Sequence, residues 1–237
     1  MATRPAARIE RATLDFLRTL NKHNDRDWFT ANKDLYLAAH SNMVAFAEAL
    51  IARLGKHDRI STASGKESLM RIYADQRFRK DRPPYKPRFA GRFGRVKPEL
   101  RGGYFYHIEP GKSHVTCGFM GPEPADLKRI RTDILHDHGA WQRLLSAPAM
   151  RKNFEGLIGD QLRTAPRGFP HEHPASDLLR RRQFLLRHPL TDKEVLADDL
   201  LERIDGIYRS VRPFFDHMSE VLTTDGNGNP LRTRTGR

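Results

Sequence analysis

Near the start of the chain Ile9, Leu14, Phe16, Leu17 and Leu20 fall mostly on one side of a 3.6-residue period. That spacing predicts a helix stopping near Lys22-His23-Asn24. Asn24 is the expected cap of a second helix, with Asp27 in its acidic first turn. Apolar positions from Trp28 through Leu54 continue at helical spacing, and Gly55 is the expected terminator. The period then changes to two. In 68–75, Leu69, Arg71, Tyr73 and Asp75 alternate with Met70, Ile72 and Ala74, which predicts a half-buried strand. Pro83, Pro84 and Pro87 forbid regular structure just after it. Short strands are expected over 89–96, 103–109 and 113–120, the last two joined as a hairpin through Pro110-Gly111-Lys112.

The pattern returns to helical spacing after Gly121-Pro122. Leu127, Ile130, Ile134 and Leu135 mark one helix, Trp141 and Leu144 a second, and 150–158 a third. Residues 162–174 are proline-rich and irregular, Ser176 is the expected cap of a short helix, and 183–188 reads as a further strand. A terminal helix runs from Asp198 to Leu222, ended or kinked by Pro213. Helices, then strands, then helices, then one strand predict an α+β fold: a mainly antiparallel sheet flanked by N-terminal and C-terminal helices. We expect one domain over 1–222 and a disordered basic tail over 223–237.

Composition narrows the class. Thirteen Phe, six Tyr and two Trp among 237 residues can fill a sizeable core. One cysteine excludes an intramolecular disulfide framework and a cysteine-based zinc finger. No apolar run reaches the roughly 20 residues of a membrane span, and the N-terminus lacks a signal-peptide core, so the expectation is a soluble, cytoplasmic protein with no membrane partner. The formal net charge is +13. Residues 66–101 concentrate it, with 12 Lys/Arg against 4 Asp/Glu, and Arg180, Arg181, Arg182 and Arg187 form a second cluster. Such a balance suits either an anionic partner or a basic solvated surface.

The densest chemistry lies in that basic stretch. Arg71, Tyr73, Asp75, Arg77, Lys80, Asp81, Tyr85 and Lys86 follow one another on a strand and the stiff loop after it. Arginine offers a planar fork for carboxylate or phosphate, the lysines add point charges, and the tyrosines add stacking faces and hydroxyls. The plain alternative is an ion-pair network pinning a proline-rich loop to the sheet. Asn32 and Lys33 of the long helix, and Tyr104 and His107 of the hairpin, are the expected further lining residues. Trp28, Asn32 and Tyr36 share an i, i+4, i+8 face. The pairs His136/His138 and His171/His173 fall outside expected strands and lack cysteine neighbours, so neither a metal nor any other cofactor is expected. Phosphate-loop, dinucleotide-binding, serine-hydrolase and zincin signatures are missing.

These residues carry a resemblance. Asn24, Arg26, Trp28, Phe29, Asn32, Lys33 and Tyr36 match an N-x-R-x-W-F-x-x-N-K-x-x-Y opening. Arg71, Tyr73, Asp75, Arg77, Phe78, Lys80, Asp81, Pro84, Tyr85 and Lys86 match a long central block. Gly103, Tyr104 and the turn Pro166, Arg167, Gly168, Phe169, His173, Pro174 complete it. Over most of Ile9 to Phe215 the chain resembles a widespread bacterial family, domain of unknown function 2461. It departs from that pattern at Ala74, Arg82 and Pro83. The resemblance implies no activity. Three readings follow: a small anionic ligand, with acid–base chemistry by Asp75, Tyr73 or His107; nucleic-acid binding along 66–101, with Tyr85, Phe89 and Phe93 interleaved for stacking; or a protein-interaction domain in which the motif is structural.

Overall fold

A computed structural model describes residues 7–75, 77, 82–225 and 229–231. The chain opens with α1 (Arg11–Lys22), α2 (Arg26–Ala31), α3 (Lys33–Leu54) and α4 (Gly65–Ser68). Strands β1 (Phe89–Gly94), β2 (Gly103–Ile108) and β3 (His114–Phe119) follow. Next come α5 (Pro124–His136), α6 (His138–Ser146), α7 (Pro148–Asn153), β4 (Leu157–Ile158), α8 (Ser176–Leu179) and β5 (Phe184–Pro189). The chain then forms α9 (Asp192–Val195), α10 (Leu200–Ser210) and α11 (Arg212–Thr223). The strands make one antiparallel sheet in the order β1-β2-β3-β5-β4, so the fold is α+β with helices flanking the sheet.

The chain divides into two compact units. The first comprises Met1–Phe93, Phe105–Val115 and Pro189–Gly206. Its core takes Leu14, Phe16, Leu17 and Leu20 from α1, and Met43, Phe46, Ala47, Leu50 and Leu54 from α3. Phe89, Phe93 and Tyr106 complete it, each burial of this kind contributing about 1.5–3 kcal/mol. Gly91 is required by close approach: a Cβ there would stand 2.2 Å from the Tyr106 hydroxyl, itself 2.9 Å from the Ser68 hydroxyl. Among the described helices α3 alone has the length and apolar composition to cross a membrane. It also carries Lys33, Asp34, Glu48 and Arg53 while burying its apolar stripe in this core.

The second unit comprises Gly94–Tyr104, Thr116–His188 and Ile207–Arg237. Its core gathers Tyr104, Phe119, Trp141, Phe184, Tyr208, Phe214 and Phe215. Arg95 is buried with them. Its Nη1 donates to the Arg101 carbonyl at 2.8 Å and the Ser219 hydroxyl at 3.3 Å, and Nη2 donates to Asp216 at 3.3 Å. The guanidinium also sits 5.0 Å over the Phe215 ring, a cation–π contact.

Several elements differ from expectation. Asp25, not Asn24, caps α2, its carboxylate accepting the Trp28 N–H at 2.8 Å. The long second helix is two helices, broken where Asn32 takes φ −112° and turns its side chain back onto the Trp28 carbonyl at 2.9 Å. In place of the strand expected over 68–75, Ser68 ends α4 and, among the described residues, the pairing is by isolated bridges, Leu69 to Gly91 and Tyr73 to Tyr85. Ile72 is buried there, whereas Met70 is 50% exposed, so the apolar face shrinks to one residue. The helix expected over 150–158 stops at Asn153. Leu157 and Ile158 instead pair with Leu186 and Leu185, because the β5 edge satisfies their backbone groups. Pro213 separates α10 from α11 as expected. In the tail, Thr224 bridges to Pro230 and the Leu231 N–H reaches the Thr223 carbonyl at 2.7 Å; 226–228 and 232–237 lie outside the described residues.

Candidate functional site

The first two family-like stretches meet in the first unit. Relieved of capping, Asn24 turns its amide onto the backbone of Tyr85: Nδ2 donates to the Tyr85 carbonyl at 2.9 Å and Oδ1 accepts the Tyr85 N–H at 3.0 Å. The Phe29 ring from α2 stacks on the Tyr85 ring, centroids 3.9 Å apart and planes 12° from parallel. Tyr73 leans on both, 5.4 Å from Tyr85 and 6.1 Å from Phe29. The Lys86 N–H donates to the Ile72 carbonyl and the Ala74 N–H to the Pro84 carbonyl, both at 2.8 Å. Helix α2 and these backbone bonds thus fasten 72–74 to 84–86.

The two tyrosines play different parts. Tyr85 is 7% exposed, so its ring belongs to the packing; burial first, and then Tyr73, push its phenol pKa up. Tyr73 is 54% exposed and offers an anchored aromatic face to solvent. Burial likewise raises the Tyr36 phenol.

The charged members are also unequal. Asp75 receives Arg77 Nε at 3.0 Å, Nη2 at 2.7 Å and the Arg77 N–H at 3.1 Å. These bonds hold the Asp75 carboxyl down at about 2. A carboxylate so depressed is a poor proton acceptor near neutral pH. Both side chains are exposed, so the pair contributes little to stability. Arg71 is exposed and, among the described residues, its guanidinium makes no hydrogen bond or ion pair. Lys86 lies beside it, Nζ 3.4 Å from the Arg71 carbonyl. Lys80 and Asp81 fall outside the described residues.

The remaining expected residues lie elsewhere. Lys33 is exposed at the start of α3, and Asn32 is spent on its own helix junction. His107 bonds Glu109 through Nε2 at 2.8 Å and stacks on His114 at 4.5 Å. Tyr104 is fully buried in the second unit, 4.8 Å from the Tyr208 ring and 5.1 Å from the Phe215 ring. Phe89 and Phe93, expected as stacking faces, are core residues of the first unit. Two cations of the basic stretch are internal to the second unit: Arg95, described above, and Arg101, which pairs with Asp126.

No group of three or more His, Cys, Asp or Glu among the described residues is placed to hold a metal ion. His138 and His173, one from each His-x-His pair, meet edge to face at 6.0 Å. A pair that sequence spacing missed is Asp133 with His217, Oδ2 to Nε2 at 2.9 Å. It joins α5 to α11 across 84 residues, so no local motif marks it.

No curated protein and no solved structure matches the chain. A family model described as conserved hypothetical protein (DUF2461) matches residues 12–217, and the chain belongs to that family.

Proposed function

We propose that this DUF2461 protein binds a small anion, carrying phosphate or carboxylate, at the exposed side chains of Arg71 and Tyr73 beside Lys86. Arg71 and Lys86 supply the charge and Tyr73 the stacking surface. One observation carries the reading: of the two arginines flanking Asp75, Arg77 is engaged by the carboxylate while the Arg71 guanidinium is unengaged among the described residues. An unengaged fork can take a carboxylate or phosphate in two parallel charge-assisted bonds, each stronger than a neutral hydrogen bond. Asn24 and Phe29 hold Tyr85, against which Tyr73 packs, and this lowers the ordering cost of binding. Because Asp75 stays ionised and paired, and His107 is bonded to Glu109, this face is read as a binding surface rather than an acid–base site.

A second reading, a single strand of nucleic acid, draws on one specific observation. The face is open, with Tyr73 half-exposed and Arg71, Arg77 and Arg82 exposed along one segment. A thermal-shift screen at two salt concentrations separates the two. The first reading expects nucleotides, sugar phosphates or dicarboxylates to raise the midpoint of the wild type and not of Arg71→Ala. The second expects a shift with short single strands that collapses steeply with salt. If no anion shifts the wild type, both readings fail.

A further inference from the structure

Around Phe29 the first unit gathers a row of aromatic rings, and one of them is misplaced for a packing residue. Phe29, Tyr85 and Phe89 are buried, whereas Tyr73 is 54% exposed. Leaving a large ring in water forgoes the gain of burying it. The residue is held in place nonetheless. Its backbone bridges to Tyr85, and its ring leans on both members of the Phe29–Tyr85 stack.

The ring angles show what is left over. Phe29 and Tyr85 lie face to face, 12° from parallel, and spend their facing surfaces on each other. Tyr73 is tilted 59° to Phe29 and 52° to Tyr85, and among the described residues no further ring contacts it. A ring met at such angles keeps a face for a parallel, offset partner.

The same stretch supplies the charge. Ile72 is buried between Arg71 and Tyr73, and both of these neighbours are exposed. The one carboxylate in 69–75 is Asp75. It takes three bonds from Arg77, which offset its charge against an incoming anion. The Arg71 guanidinium is unengaged among the described residues.

Resting on the anion site proposed above, we infer the class of the ligand's other half: the anion carries a flat aromatic ring, as an aryl phosphate or a nucleoside monophosphate does. Its charged oxygens pair with the Arg71 fork and its ring stacks on the open face of Tyr73. An anion with a purely aliphatic body would leave that face uncovered.

The test is calorimetric titration of the full chain with three phosphate monoesters of equal charge: phenyl, cyclohexyl and methyl phosphate. Phenyl phosphate is expected to bind about tenfold tighter than the other two. Cyclohexyl phosphate has a similar size without a flat π face, so it separates stacking from apolar burial in general. Tyr73→Phe keeps the ring and is expected to keep the preference. Tyr73→Leu is expected to bring phenyl phosphate down to the level of methyl phosphate and to leave methyl phosphate unchanged. Arg71→Ala is expected to weaken all three by a similar factor. Equal binding of phenyl and cyclohexyl phosphate, or a preference for phenyl phosphate that survives Tyr73→Leu, overturns this inference and leaves the anion site standing. Binding of none of the three overturns both. Where Tyr73→Leu does not fold, the wild-type ratio of phenyl to cyclohexyl phosphate decides alone.

Discussion

Asn24 and Tyr85 are joined by a side-chain amide that pairs with the backbone as a neighbouring strand would, bonding both the N–H and the carbonyl of one residue. The two residues are 61 positions apart, and the contact locks the α1–α2 junction to the end of the proline-rich loop. Substitution leaves two part-buried backbone groups to be resolvated. Asn24→Ala is expected to lose about 1–3 kcal/mol in urea denaturation. Asn24→Asp keeps the acceptor and loses the donor, so it should fall between wild type and alanine. An alanine variant as stable as wild type contradicts the clamp.

Asp75 and Arg77 predict a titration. The folded carboxyl sits at about 2, below its ordinary value, chiefly because of the Arg77 side-chain bonds. A lowered folded pKa gives a contribution present above the unfolded value near 3.9 and lost as pH falls toward about 2. The pair is exposed, so the quantity to measure is the carboxyl ¹³C midpoint rather than global stability. Arg77→Ala is expected to return that midpoint to the ordinary carboxylate range; an unchanged midpoint rules out Arg77 as the cause.

Much of this was legible beforehand, and the misses share a cause. Local period identified α1, α5, β2, β3 and β5, because each carries its apolar face at fixed spacing. Choices between equivalent local residues were not legible. Asn24 and Asp25 can both cap a helix, and the tie is broken by the Tyr85 backbone, which only the tertiary structure brings near. Met70 fits an apolar face by alternation, yet the two-bridge edge buries only Ile72. At the candidate site the cluster of Arg71, Tyr73, Asp75, Arg77, Tyr85 and Lys86 was readable as a contiguous run. The division of labour within it was not, since Tyr73 and Tyr85 look alike until one is stacked beneath Phe29.

Arg95 looked like one more surface cation and is instead an anchor of the second unit. Its side chain is fully buried and its fork reaches a carbonyl, a hydroxyl and a carboxylate. Arg95→Met is expected to cost about 2 kcal/mol or more, read from the shift in denaturant midpoint. Arg95→Lys should not restore it, because a point charge cannot serve three acceptors in one plane. Full rescue by lysine contradicts this role.

Cys117 is fully buried on β3, and desolvation pushes its thiol well up. It is expected to resist a thiol-reactive dye in the native state and to react once denaturant unfolds the chain. A neighbouring residue guards the same packing. Gly118 has φ +135°, and a Cβ there would stand 2.0 Å from the Phe184 carbonyl oxygen, so Gly118→Ala is expected to expose Cys117 to the dye. Rapid native labelling of the wild-type thiol contradicts the burial.

The most direct test of the proposed function is calorimetric titration of one phosphate-bearing ligand, chosen from the screen, against wild type, Arg71→Ala and Arg77→Ala. Binding is predicted to weaken about tenfold or more in Arg71→Ala, at unchanged melting temperature, and to persist in Arg77→Ala, whose partner is Asp75. Equal affinity in wild type and Arg71→Ala, or loss confined to Arg77→Ala, would contradict the assignment of Arg71 as the anion-binding arginine.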